Sequence, residues 1–473
     1  MFHSTDQELS YHEESVAPDS IDALLSQELN RMSFQEREVI CEEIHGVHSM
    51  AVTETPNFVQ EKLEELEQAL EQIPNHEEHV YLHALKRKSP FVADAVQLRL
   101  PMLRAEVFDV HKAAVRMVKY LDLVTDLYGS EALMRPITLS DFQPEDAQLM
   151  RLGLFQMLGG RDRTGRRIMG NFADIPANFS VRSRIKNALY MYTCLAEDEE
   201  TQKKGCVFIV FHPSPGSQVC SSTEERSFVR RLMESIPIRV SAIHICLHDD
   251  ALSQVIKAVA LLALGPQGRA RTRVHTGSKT ECQYSLQSFG IPAHQIPVNL
   301  NSGQLKIKAH QRWIDLRRMK ETSVQRGTTF NGIECPELND LLFGRGRPIM
   351  RHPGNVLFRN ILESRYQEYN AAPTRKEKTE IAWSIVRQLQ KSKCRFLKED
   401  ADGHWVEVTS DVARQKVSVG FRDLRKTVSE FGLHRANPSG PVGIKRDLNS
   451  STSAFLGMDG AVKRQRCNFG FAS

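Results

Sequence analysis

The sequence predicts an α/β lobe introduced by a helical part, followed by a small, separate α+β domain near the C-terminal end. Three observations carry that prediction. Across residues 153–289, short apolar runs alternate with helical stripes, the pattern of parallel strands joined by crossover helices. Across residues 56–150 the apolar spacing is three or four throughout, so helices are expected there. Further on, Asp402-Gly403 sits between RFLK (395–398) and WVEV (405–408), a hairpin signal with helical stripes on either side.

The bulk numbers set the frame. A chain of 473 residues, 41% hydrophobic and 25% charged, has room for two or three soluble domains. With no long apolar run and an acidic start, neither a membrane span nor a secretion signal is expected, which points to cytoplasm or nucleus. The nine cysteines are scattered without a C-x-x-C pair, so reduced thiols are expected rather than disulfides or zinc. The net charge of +4 hides an asymmetry. Residues 1–78 hold 19 acidic and 3 basic side chains, a balance of −16, whereas residues 339–435 hold 19 basic and 12 acidic, a balance of +7. Opposite ends of this kind can attract each other; the basic one also admits polyanions.

Taken in order, residues 1–55 are acidic and poor in large apolar groups, and read as mostly disordered with a short helix within 20–44. Residues 56–150 supply helices. Val59, Leu63, Leu66, Leu70 and Ile73 form one stripe. A longer helix starts at Asp109, an N-cap, and ends at Gly129. The lobe then covers 151–315. Its first feature is a hairpin turned by Asp162-Arg163-Thr164-Gly165. Strands are expected at 205–211, 239–247 and 271–275, with helices at 180–195, 222–233 and 251–264.

The runs LRAEVFDVHKAAVRMVKYLDLVTDLYG and GLFQMLGGRDRTGRRIMGNF, with the strand–helix order after them, resemble the CRAL-TRIO family of phosphatidylinositol-transfer-like lipid-binding proteins over roughly residues 80–315. The resemblance implies a cavity for an apolar ligand or phospholipid, with the apolar helix 251–264 as its lid. The pocket candidates are Val207, Ile209 and Phe211, Ile243 and Ile245, and Ile256, Val259 and Leu262. The family's aromatic-Pro-Glu segment is missing, and SFVRRLMESIPIRV stands in its place, so no inositol-phosphate ligand is carried over.

Residues 316–336 read as a linker, and the polar SVQRGTTFNGIECP is its core. The basic domain, 337–435, opens with NDLLFGRGRPIMRHPGNVLFRN, a glycine- and arginine-rich loop running into a helix. Its phrases N-D-x-L-x-G-R-G, H-P-G-N-x-x-F-R, E-Y-N-A-A-P and W-V-E-V resemble a domain of unknown function found in diatom and related stramenopile proteins. Arg345, Arg347, Arg351, His352, Arg359, Arg375, Lys376 and Lys378 are its anion or nucleic-acid candidates, because a guanidinium fork matches phosphate oxygens. In the lobe, Arg269, Arg271, Arg273 and Lys279 form a basic run, either a solvated strand end or a contact with lipid phosphates at a membrane surface. The tail, 436–473, reads as disordered, and Lys463-Arg464-Gln465-Arg466 within it resembles a nuclear-import patch.

His244, Cys246 and His248 share one strand face, where core packing is the first expectation and metal the second. No catalytic set, cofactor motif or metal site is legible. The sequence therefore points to a non-enzymatic binding protein, with a lobe for an apolar molecule and a basic module for an anionic or protein partner. The alternative is a nuclear regulator whose C-terminal module binds DNA.

Overall fold

The computed structural model describes residues 30–73, 79–176, 178–212, 222–250 and 263–435, with the single positions 26, 253, 257, 260 and 261. Local signals place most elements. Helix α1 (Phe34–Ile44) begins at Ser33 in a reciprocal capping box with Glu36. Helix α2 (Pro56–Glu71) starts at Thr55 and buries Leu66 and Leu70. Helices α3 (His79–Lys86), α4 (Pro90–Ala93) and α5 (Leu100–Ala105) follow, and a π-helical turn, Ala95–Arg99, joins the last two. Pro101 lies in the first turn of α5, where its missing N–H is harmless.

Helix α6 (Val110–Tyr128) is the centre of the helical part. Asp109 caps it, Gly129 ends it, and Met117, Leu121, Val124 and Leu127 are buried along one side. Fully burying a leucine contributes roughly 1.5–3 kcal/mol, so this stripe is what holds α2, α3 and the lobe around α6.

The lobe follows α7 (Pro144–Leu152). Strands β1 (Phe155–Arg161) and β2 (Arg167–Asn171) form the expected hairpin, with Gly165 at φ 93 in the turn. The buried Asp162 closes it on Arg166. Helices α8 (Val181–Leu195) and α9 (Glu199–Lys204) lead to β3 (Cys206–His212), and α10 (Thr223–Ser235) leads to β4 (Val240–Leu247). Helix α11 (Gly265–Ala270), β5 (Thr272–Thr276) and α12 (Lys279–Ser288) complete it. The sheet order is β1-β2-β3-β4-β5, antiparallel in its first pair and parallel thereafter.

Two expectations are refined. The short helix expected from 20 to 44 is seen in its second half as α1, which packs on the sheet rather than standing free, with Glu43 fully buried against Arg239. Residues 316–336 are not a free linker. Helix α13 (Lys308–Gln325) packs on β1, and β6 (Gly332–Ile333) pairs with β9 (Trp405–Glu407) of the C-terminal sheet.

The connection is ionic and buried. Arg317 on α13 donates to Glu197 at 2.7 and 2.8 Å, to Glu334 at 2.8 Å and to the Tyr190 hydroxyl at 3.2 Å. Glu334 also accepts from Trp313 Nε1 at 3.1 Å and from Arg167 at 3.2 Å. Arg161 donates to the carbonyls of Cys335 and Pro336.

The C-terminal domain contains β7 (Leu341–Leu342), α14 (Arg347–Arg351), α15 (Pro353–Ser364), α16 (Tyr366–Ala371), α17 (Arg375–Lys391), β8 (Phe396–Glu399), β9 (Trp405–Glu407) and α18 (Ser410–Arg435). Its sheet order is β6-β9-β8-β7, and the expected hairpin turns at Gly403, φ 82.

Burial pushes the Glu334 carboxyl up, but Arg167, Arg317 and Lys320 outweigh it and hold it at about 2, against an ordinary value of 4.5. A depressed folded-state value means stability present above 4.5 and lost as pH falls toward about 2. The shift corresponds to on the order of 3 kcal/mol. Glu334→Gln should therefore lower the Tm at neutral pH and flatten its decline on acidification, measured by thermal melts across that pH window.

Candidate functional site

One face of the lobe sheet carries a cavity of about 240 Å³. Its floor is Phe155 from β1, Phe208 and Val210 from β3, and Ile243 and Ile245 from β4. Helix α8 contributes Ile185, Ala188 and Tyr192, which recur on one side at helical spacing, and α10 contributes Val229, Leu232 and Met233. Ala260, Ala263 and Leu264 also line it. The size falls below the ~300–1,000 Å³ usual for small-molecule sites, so the cavity suits one apolar chain or ring rather than a whole diacyl lipid.

One part of its lining is polar. Arg184 pairs with Glu225 at 3.2 Å, and the Nε of Arg184 is buried without a hydrogen-bond partner among the described residues. His212, 5% exposed at the end of β3, has Nδ1 2.8 Å from Asp174 and Nε2 against the side-chain oxygen of Asn171. Pairing with both fixes the imidazole at the cavity wall.

The structure separates the pocket candidates. Ile243 and Ile245 face the cavity. Val207, Ile209 and Phe211 are on the opposite face of the sheet, packed in a second core with Ile44, Cys282 and Leu286. Strand side chains alternate, so Phe208, Val210 and His212 take the cavity side instead. Ile256, Val259 and Leu262 lie outside the described residues.

A second cleft, about 880 Å³, adjoins the cavity and shares Met233 and Leu264 with it. It lies among α5, α6, the start of β4, α11 and the segment leading into α1. Three ion pairs on its wall cancel: Lys112–Asp109, Arg116–Glu106 and Lys119–Glu234. Arg239 and Arg271 share the single carboxylate of Glu43, and Nε and Nη2 of Arg239 are buried without partners among the described residues. Burial pushes Arg271 down, with Glu43 opposing and Arg239 adding to the effect. This wall therefore has a surplus of positive charge.

The basic run 269–279 is thus not one surface. Arg269 is 9% exposed and donates to the Leu261 carbonyl, and Arg271 turns inward to Glu43. Only partly exposed, Arg273 donates to its neighbour's carbonyl, and Lys279 stands beside Gly303. His244 and Cys246 are buried core residues, with His244 3.1 Å from His275, while His248 pairs with Asp250 at the strand's end.

In the C-terminal domain, Arg345, Arg347, Arg351, Arg375 and Lys376 are exposed, and His352, Arg359 and Lys378 are half-buried. Among the described residues no carboxylate pairs with Arg345, Arg347, Arg351 or Arg359. Lys378 lies over the Tyr369 ring, which itself stacks on Phe421 in the core. Asp400, Asp402 and His404 bring ligand-type atoms within 4.8 Å of one another, but Asp400 is already closing its turn on the N–H groups of Asp402 and His404.

Residues 340–423 match the family model described as a domain of unknown function (DUF6824). The C-terminal domain is of that kind. No match to a CRAL-TRIO model accompanies it, and no curated protein matches the chain.

Geometry explains much of this domain's opening motif. Asp340 is buried and accepts from Glu337 N at 2.7 Å and from Arg395 Nη2 at 2.7 Å and Nε at 3.0 Å. Asn355 pairs with both backbone groups of Leu342, at 2.7 and 2.9 Å. A Cβ on Gly354 would lie 2.1 Å from the Asp340 carbonyl oxygen, so α15 meets the β7 backbone directly. Gly354→Ala should consequently unfold this domain while the lobe's melting transition persists, an outcome that calorimetry of the full chain resolves.

Proposed function

We propose that the chain is a non-enzymatic binding protein whose lobe holds an amphipathic, lipid-like molecule and whose C-terminal domain engages a polyanion. The observation that carries the first half is the largely apolar cavity beside a cleft with surplus arginine charge. An apolar chain would occupy the cavity, and an anionic head would meet Arg239 and Arg271 across Met233 and Leu264. The finer assignment to a CRAL-TRIO-like lobe is supported by the helical lead-in, the mostly parallel sheet and the presence of Ala260, Ala263 and Leu264 in the cavity lining.

Native mass spectrometry of the gently purified protein tests this. A co-purifying amphipath is expected, and Ala188→Phe, which fills the cavity between α8 and the sheet, should remove it with little loss of Tm. An empty wild-type protein that also fails to take up labelled lysophospholipid would end the lipid reading.

The polyanion reading, with DNA as its sharpest form, is supported by the four arginines of residues 345–359 that no carboxylate among the described residues neutralises. Each phosphate contact contributes roughly 0.9 to the slope of log affinity against log salt. Replacing Arg345, Arg347 and Arg351 with alanine should weaken binding to a DNA duplex and reduce that slope by about 3, without a change in Tm. Titrations at several salt concentrations read both effects. No helix among the described residues is long and apolar enough to cross a membrane, and we place this activity in the cytoplasm or nucleus.

A further inference from the structure

The cavity of the lobe runs along the strands, and its two ends differ in chemistry. Strands β3 and β4 are parallel, with Cys206 opposite Val240 and His212 opposite Leu247. At ~3.3 Å per residue, β3 from Cys206 to His212 spans roughly 20 Å. Arg239, on the cleft wall, directly precedes β4, so the cleft adjoins the starting edge of these strands. His212 and Asn171 end β3 and β2 at the opposite edge, where open α/β sheets commonly receive ligands. The covering helices follow the same axis. The last turn of α10 brings Met233 to the cleft, and its first turn holds Glu225 against Arg184 of α8. Arg184 also donates to the Pro176 carbonyl at 3.4 Å, close in the chain to the Asp174 that holds His212.

At the cleft end the charge is unbalanced. Arg239 and Arg271 share Glu43, and Arg239, 7% exposed, keeps Nε and Nη2 without partners among the described residues. At the His212 end it is balanced. Arg184 is paired with Glu225, and both imidazole nitrogens of His212 are engaged, by Asp174 and by Asn171. What is left there is one buried N–H, the Nε of Arg184, next to a carboxylate that can accept. A hydroxyl complements that pair, because it accepts from the one and donates to the other. A methyl end leaves the N–H unsatisfied, and a second carboxylate sets like charge against Glu225.

We infer that the lobe's ligand is polar at both ends: a long-chain hydroxy acid whose carboxylate meets Arg239 and Arg271 and whose far end carries a hydroxyl held between Arg184 and Glu225. This rests on the reading of the lobe as the holder of an amphipath, and it names the class of amphipath. The apolar stretch between the two polar groups lies on Phe208, Val210, Ile243 and Ile245, and its length follows from the distance of roughly 20 Å between the ends of β3. Chain length and both end groups are therefore selected together.

Equilibrium dialysis of the full chain against radiolabelled hexadecanoate, ω-hydroxyhexadecanoate and hexadecanedioate tests it. The hydroxy acid should bind about tenfold more tightly than hexadecanoate, the gain from one hydrogen bond to a charged group, and the diacid no more tightly than hexadecanoate. In the Arg184→Met, Glu225→Gln double variant the hydroxy acid should lose that advantage. Arg271→Gln, at the other end, should weaken all the acids without changing their order. Equal binding of hexadecanoate and its hydroxy derivative by the wild type overturns the inference and leaves the amphipath reading standing. Tighter binding of the diacid than of the hydroxy acid does the same, as does a hydroxyl preference that survives in the double variant. If none of the acids binds, the inference falls, and the amphipath reading falls with it only where lysophospholipid is not taken up either.

Discussion

A guanidinium removed from water must be met by carboxylates, and Arg317, 3% exposed, meets two that the chain brings from either side of its own helix. Glu197 belongs to the lobe, just after α8. Glu334 belongs to the strap that enters the C-terminal sheet one residue after β6. Removing Glu334 would leave the buried Arg167 without its paired carboxylate, at a cost of about 3–5 kcal/mol. The pairing therefore fixes where the lobe ends and where the second sheet begins. Trp313 and Arg167 narrow the geometry further, because both reach the same carboxylate oxygen of Glu334.

That constraint explains why a linker was expected where a buried strap is found. Gly327, Thr328, Thr329 and Asn331 are the residues of a solvated turn, and a lone glutamate among them reads as one more exposed charge. Nothing local marks Glu334 as buried, since its partners lie at positions 167 and 317. The same reasoning covers Glu43 with Arg239 and Arg271. Each looked like surface charge, and together they form an interior tie between α1 and the sheet. What was legible were features whose causes are local. Asp109 and Gly129 bound α6, the Asp162–Gly165 turn makes its hairpin, and the Asp402-Gly403 signal makes another.

The lobe's cavity was legible in place but not in detail. Strand β3, CVFIVFH, is apolar on both faces because the sheet is covered on both, so periodicity gave no basis for choosing between 207, 209, 211 and 208, 210. His212 was the one marker. A polar residue closing an apolar strand must find partners on its own face, and Asn171 and Asp174 are there. Arg184 and Glu225 could not be paired from sequence, because their contact exists only once α8 and α10 lie side by side.

The C-terminal motif divides by what its residues do for the fold. Asp340, Gly354 and Asn355 are consumed in tying β7 to α15 and to Arg395, so their presence needs no ligand to explain it. Arg345, Arg347 and Arg351 make no such tie. Arg345 stands on a loop shaped by Gly344 and Gly346, both at positive φ, and Arg347 and Arg351 on the short helix α14 that follows it, where long, exposed cationic side chains gain nothing from internal packing. A fold that neutralises Arg161, Arg167, Arg317 and Arg395 with carboxylates leaves these three without one among the described residues. An anion from another molecule is the chemistry that would complete them.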